Sequence, residues 1–202
     1  MSMLDPIPIG YFAKRITRRP EGPDLPGVEE ICSLSECISP GPDDWFSRWT
    51  HNGACLYDVE ATIAAIAAEE SERPDTFELF AYQIIPVRFA PDGETAMTAS
   101  DLPGEAGRRP NAIPPGADYD LLGYDCIQTE WERNIVGFGC SPLSCNGMAA
   151  GIAVNRFCLI DSLDNAIAAA RRFAKEQPEP GTYYVVEVWR KRRAAKAGLD
   201  GV

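Results

Sequence analysis

One pattern is written twice in this chain, and it constrains the fold more than any other feature. The first copy runs Cys32-Ser-Leu-Ser-Glu-Cys37 and then Asn52-Gly-Ala-Cys55-Leu-Tyr-Asp58; the second runs Cys140-Ser-Pro-Leu-Ser-Cys145 and then Asn155-Arg-Phe-Cys158-Leu-Ile-Asp161. After each Asp comes an Ala-rich segment, then a proline, then a run rich in β-branched and aromatic residues, Phe77 to Val87 in one copy and Thr182 to Trp189 in the other. The shared order is strand, helix, strand. It predicts a mixed α+β fold in which two similar strand-helix-strand halves make a single compact body, as an internal duplication would produce. Halves this short bury little core on their own, so they are expected to pack together.

Local chemistry supports the helices. Asp58 is placed to cap a helix whose Val59, Ile63, Ile66 and Ala67 fall on one face, with Glu60 favourable in the first turn. Asp161, followed three residues later by Asp164, resembles a capping box, and Leu163, Ile167, Ala170 and Ala174 form the matching stripe. Pro74 and Pro178 forbid continuation of the two helices. Tyr119 to Gln128 reads as the strand opening the second half. The breakers Pro20 to Gly27 set off an N-terminal strand-like run, Ile7 to Thr17, from the first copy. Pro91 to Asp118 holds five prolines and four glycines and reads as a surface connection. The expected organisation is an acidic first half over 1–90, the connection over 91–118, a second half over 119–190 and a basic flexible tail over 191–202.

Charge is distributed as unevenly as the repeats are even. The net charge is -11, yet residues 1–100 carry 17 acidic and 7 basic side chains against 13 and 12 in the remainder. Such acidity opposes binding to nucleic acid or to an anionic membrane, since neither would release counterions to this surface. Arg190, Lys191, Arg192, Arg193 and Lys196 run the other way; they either fray as a tail or fold back onto the acidic half. Asp5, Pro6 and Pro8 interrupt any leader-like apolar run near the start, and no apolar stretch reaches 18 residues, so a cytoplasmic location is expected. Seven cysteines, an odd number in a chain too long to need staples, fit a reducing compartment.

Candidate chemistry is sparse. Cys32, Cys37, His51 and Cys55 supply four ligand types that zinc accepts, although structural zinc commonly uses tighter knuckles and Cys55 reads as a small buried hydrophobe opening a strand. His51 is the only histidine, so Cys-His or Ser-His catalysis must run through it. Cys140 lies in the most loop-like context, between Gly139 and Pro142, where Ser141, Ser144 and Asn146 could meet a ligand or satisfy their own backbone. Trp45 and Trp49 share a helical face, and with Arg48, His51 and Asn52 they form either a core pair or a stacking platform. Glu187 is a carboxylate placed late, on a strand. A strand-rich body in two halves, with an aromatic and His segment and a late Glu187, is loosely similar in element order to ADP-ribosyltransferase-like domains. That resemblance implies NAD held between two small sheets with a Glu at work.

These features lead to a cytoplasmic acidic binding protein of the inhibitor, immunity or regulatory type, needing no cofactor and meeting a basic protein partner. The alternatives are a small-molecule or nucleotide-type ligand-binding enzyme acting through His51, Cys140 or Glu187, and a structural module clipped by zinc.

Overall fold

A computed structural model describes residues 5–18, 25, 27–35, 41–42, 49–70, 77–102, 110–129, 139–145 and 151–193. Its centre is an antiparallel sheet to which both halves contribute. β1 (Ile7–Lys14), β4 (Glu78–Ala90), β7 (Thr182–Lys191) and β6 (Tyr119–Thr129) follow one another in that spatial order, and β5 (Gly93–Ala96) pairs with the end of β4. A separate ladder joins β2 (Thr17–Arg18) to β3 (Glu30–Ile31). Three α-helices, α1 (Glu60–Glu69), the single turn α2 (Pro142–Cys145) and α3 (Leu163–Glu176), and a 3-10 turn at Ala99–Asp101 complete the described elements. The N-terminal run therefore belongs with the first copy, since β1 is the partner of β4 just as β6 is of β7. The Pro/Gly-rich connection is not wholly irregular, because its first residues turn back as β5.

The central β4–β7 ladder sets Tyr82 opposite Val188 and Gln83 opposite Glu187. Strict alternation then places Tyr11, Gln83, Glu187, Trp189 and Cys126 on one face, and Phe12, Lys14, Tyr82, Val188 and Asp125 on the other. Both long helices pack on the first face. α3 brings Phe173 against Tyr183, while Tyr119 donates its hydroxyl to Glu60 at the start of α1 and its ring meets Tyr11 edge-on. The second face is covered by the Cys32–Ser35 segment and the 139–145 turn.

The helix caps differ from expectation by one residue. Ser162, not Asp161, caps α3, its hydroxyl accepting from the Asn165 amide, and Val59 starts α1 with no side-chain cap. The two aspartates are occupied elsewhere, because each accepts a hydrogen bond from the asparagine six residues before it: Asn52 Nδ2 to Asp58 at 2.9 Å and Asn155 Nδ2 to Asp161 at 2.8 Å. Gln177 ends α3 in the left-handed region, its amide returning to the Phe173 carbonyl just before Pro178. The α1 stripe holds at Ile63, Ile66 and Ala67, whereas Val59 is exposed. On α3 the buried face is Ala166, Ala169, Ala170, Phe173 and Ala174, with Leu163 and Ile167 half-buried at its margin.

The two asparagine turns repeat bond for bond. Asn52 Oδ1 accepts from the amides of Ala54 and Leu56, and its Nδ2 donates to the Ile9 carbonyl; Asn155 Oδ1 accepts from Phe157 and Leu159, and its Nδ2 donates to the Leu122 carbonyl. Cys55 and Cys158 sit at φ 57° and 60° within these turns, so Cys55 is a turn residue rather than the opening of a strand. A bulge beside Gly10 in β1 is matched by one beside Gly123 in β6. Tyr57 then bridges to Tyr11 and Ile160 to Tyr124. No helix among the described residues is long and apolar enough to cross a membrane.

Candidate functional site

On the loop-covered face Asp125 gathers four hydrogen bonds. It is fully buried, and its two oxygens accept from four donors: Ser141 Oγ at 2.6 Å and the Cys126 amide at 2.9 Å on Oδ1, Ser33 Oγ at 2.7 Å and the Leu34 amide at 3.0 Å on Oδ2. Burial pushes the Asp125 carboxyl above the usual carboxylate range, and the four hydrogen bonds pull it back part of the way. Beside it the buried Lys14 ammonium donates to the carbonyls of Ser33, Leu34 and Ser35 at 3.0, 2.6 and 3.1 Å. Ser35 Oγ in turn lies 3.5 Å from Cys145 Sγ. The two Cys-Ser segments of the repeat thus meet at one carboxylate. Such a node, closed to solvent, fixes loops onto a sheet and offers no open position to a substrate.

The residues singled out from the sequence are spread over the sheet. His51 and Asn52 stand beside β1, and the His51 Nδ1 lies 2.6 Å from the Asn52 carbonyl. Cys140 and Ser141 follow the end of β6, where the Cys140 carbonyl accepts from the Gln128 amide. β1 and β6 are the outer members of the four-strand path, so the described parts of the two candidate ligand stretches lie at its opposite ends. Trp49 is half-buried, donating Nε1 to Glu70 at 2.9 Å. Trp45, Arg48 and Asn146 lie outside the described residues. So does Cys37 of the zinc set, and among the described residues no three His, Cys, Asp or Glu side chains are grouped to hold a metal ion. Cys32 is buried in the core, where loss of solvent pushes its thiol up to about 12. Cys126 is shifted the same way for the same reason. In the folded protein, alkylation with iodoacetamide is expected to spare Cys32 and Cys126 and to modify the half-exposed Cys55, Cys140 and Cys145. Mass spectrometry of the modified peptides reads this, and equal labelling of all five would contradict it.

Glu187 occupies the middle of β7 on the helix-covered face, 7% exposed. Gln83 Nε2 at 2.9 Å and Trp189 Nε1 at 3.0 Å both donate to its Oε2. Burial raises the carboxyl above its ordinary range, opposed by those two donors. An acid whose folded pKa lies above its unfolded one holds its proton more tightly when folded. Its contribution to stability is therefore greatest at low pH and declines as pH rises through the raised value. Glu187→Gln keeps an oxygen for both donors and removes the charge. Urea unfolding should find variant and wild type alike near pH 4, with the variant gaining on the wild type towards pH 7; a difference independent of pH would contradict this.

Sequence reading missed a groove on the opposite face, where β6 begins and β7 ends. It encloses about 570 Å³ and is lined by Arg156, Arg190, Lys191, Arg192 and Arg193, by Glu30, Glu78 and Asp120, and by Leu121, Leu122 and Phe157. The guanidiniums of Arg156 and Arg190 both lie over the Phe157 ring, 4.6 and 4.9 Å from its centroid. Lys191 is still within β7, and the cations of this run are tied to acids: Arg190 to Glu30 at 2.7 Å, Lys191 to Asp118 at 3.4 Å and to Glu60, Arg192 to Asp120 at 3.2 Å, and Arg193 to Glu78. The described part of the basic run therefore folds back, chiefly onto acids of the first half and the connection. The available signal was the β-prone run from Thr182 to Trp189, which leads without a breaker into Arg190 and Lys191.

No known family, characterised protein or solved structure matches this chain.

Proposed function

We propose that this protein is a non-catalytic binding module, located in the cytoplasm, that engages a basic protein partner through acids of its first half. One observation carries the reading: among the described residues, Asp125, Glu187 and His51 are engaged in holding the fold. Asp125 has its four donors, Glu187 its two, and His51 rests on a neighbouring carbonyl. The net charge of -11 favours a cationic partner. Glu30, Glu60 and Glu78 are bound internally, which leaves exposed acids for contact, such as Glu69 in the first half and Asp92 where the connection begins. The matched asparagine turns support a further part of the reading, that the two halves arose by internal duplication of a strand-helix-strand unit.

The test is a panel of small basic proteins passed over the immobilised chain, with acidic proteins as controls. Association with a basic member should weaken about tenfold or more between roughly 0.05 and 0.3 M salt. It should also weaken in a Glu69→Lys, Asp92→Lys variant. Binding indifferent to both salt and charge reversal, or no binding at the lower salt, would overturn the proposal.

A further inference from the structure

We infer that the groove at the start of β6 and the end of β7 binds a small phosphorylated ligand of nucleotide size, a site separate from the acidic surface proposed to meet a protein. The first argument is charge. In a chain of net charge -11, the groove lining gathers five cations against three acids, and Glu29, Glu60 and Asp118, which pair with Arg156 and Lys191, stand outside that lining. An anion that displaces the exposed carboxylates here meets several guanidiniums at once.

The second argument is availability. Arg156, Arg192 and Arg193 have side chains 59%, 55% and 73% exposed, and the ion pairs they make are screened and weakly held. A phosphate offers each guanidinium a better, bidentate acceptor than a single exposed carboxylate oxygen. Arg190 differs from these. Its pair with Glu30 is largely covered, and with Arg156 it frames the Phe157 ring, so this part of the groove is formed in advance. The third argument is shape. About 570 Å³ lies within the range of small-ligand sites, and Leu122 and Phe157 supply apolar lining between the cations, against which a base can pack. A second groove, beside Arg171 and Glu94, encloses only about 90 Å³ and is too small for such a ligand.

Calorimetric titration of the whole protein with ADP, inorganic pyrophosphate and adenosine tests this. ADP should bind saturably at one site, pyrophosphate more weakly, and adenosine weakest of the three. Arg156→Gln and Arg192→Gln should each weaken ADP about tenfold, the effect of one lost charge-assisted contact. Asp120→Asn, which removes the acid competing for Arg192, should tighten it. Arg171→Gln, a cation outside the groove, should leave it unchanged. Because Arg156 and Arg192 are more than half exposed, thermal melting should show both variants folded. Absence of saturable ADP binding overturns the inference. So does binding that survives in the Arg156→Gln, Arg192→Gln double variant, or that Arg171→Gln weakens equally. Adenosine binding as tightly as ADP overturns the phosphate assignment.

Discussion

Asp125→Ala is expected to destabilise the protein by about 3–5 kcal/mol, because it strands buried donors without opening a path for water to reach them. The Ser33 and Ser141 hydroxyls and the Leu34 and Cys126 amides all lose their acceptor at once. The hydroxyls can rotate towards other partners, but the two amides cannot. Asp125→Asn retains one oxygen and sets an amide NH2 against one of those fixed N–H groups, so its cost should be smaller, about 1–3 kcal/mol. Chemical denaturation of the two variants at neutral pH gives the comparison. Equal and small losses would mean that the loops are held by their apolar contacts, Leu34 and Leu143 foremost, rather than by the carboxylate. The same node explains why Lys14 is tolerated in the interior. Its ammonium takes three carbonyls of the segment whose amide and hydroxyl face Asp125, so opposite charges stabilise one stretch of backbone from two sides.

What could be read from the sequence was local. The helical stripe at Ile63 and Ile66, the strand over Tyr119 to Gln128 and the break at Pro178 follow from periodicity and from side-chain sterics, which act within a few residues; Pro74 lies outside the described residues. The repeat around Asn52 and Asn155 was visible for the same reason. Asp125 was not singled out, because its importance comes from partners 92 and 16 residues away, Ser33 and Ser141, and no spacing rule reaches that far. The groove was hidden likewise, since Phe157 meets Arg190 only after β7 has returned beside β6. Asp58 and Asp161 looked like caps because each precedes a helix. The competing asparagine donor that claims them becomes evident only when the turn is seen closed. One local signal was overlooked: each half carries an apolar residue, a glycine and a tyrosine in succession, Ile9-Gly10-Tyr11 and Leu122-Gly123-Tyr124, at the points the turns close upon.

Those glycines carry the other large effect. Gly10 and Gly123 have φ of 143° and 145°, a region that L side chains rarely enter, and each lies against the turn of its own half. A Cβ at Gly10 would stand 2.5 Å from Leu56 Cβ and 3.0 Å from the Tyr57 carbonyl oxygen; at Gly123 it would stand 2.9 Å from both Leu159 Cβ and the Ile160 oxygen. The obstructing atoms are backbone or close to it, so neither site can yield by rotating a side chain. Gly10→Ala is therefore expected to cost about 3–5 kcal/mol, from backbone strain together with overpacking, and Gly123→Ala somewhat less because its contacts are less severe. The effects should be close to additive, since the sites lie on β1 and β6 and share no partner. Urea midpoints for the two single variants and the double variant would test this. A loss at Gly10 below about 1 kcal/mol would show that the turn can move away from the strand. In that case the Asn52 hydrogen bonds would be an accessory of the closure, and the bulge beside Gly10 would be set by the sheet alone.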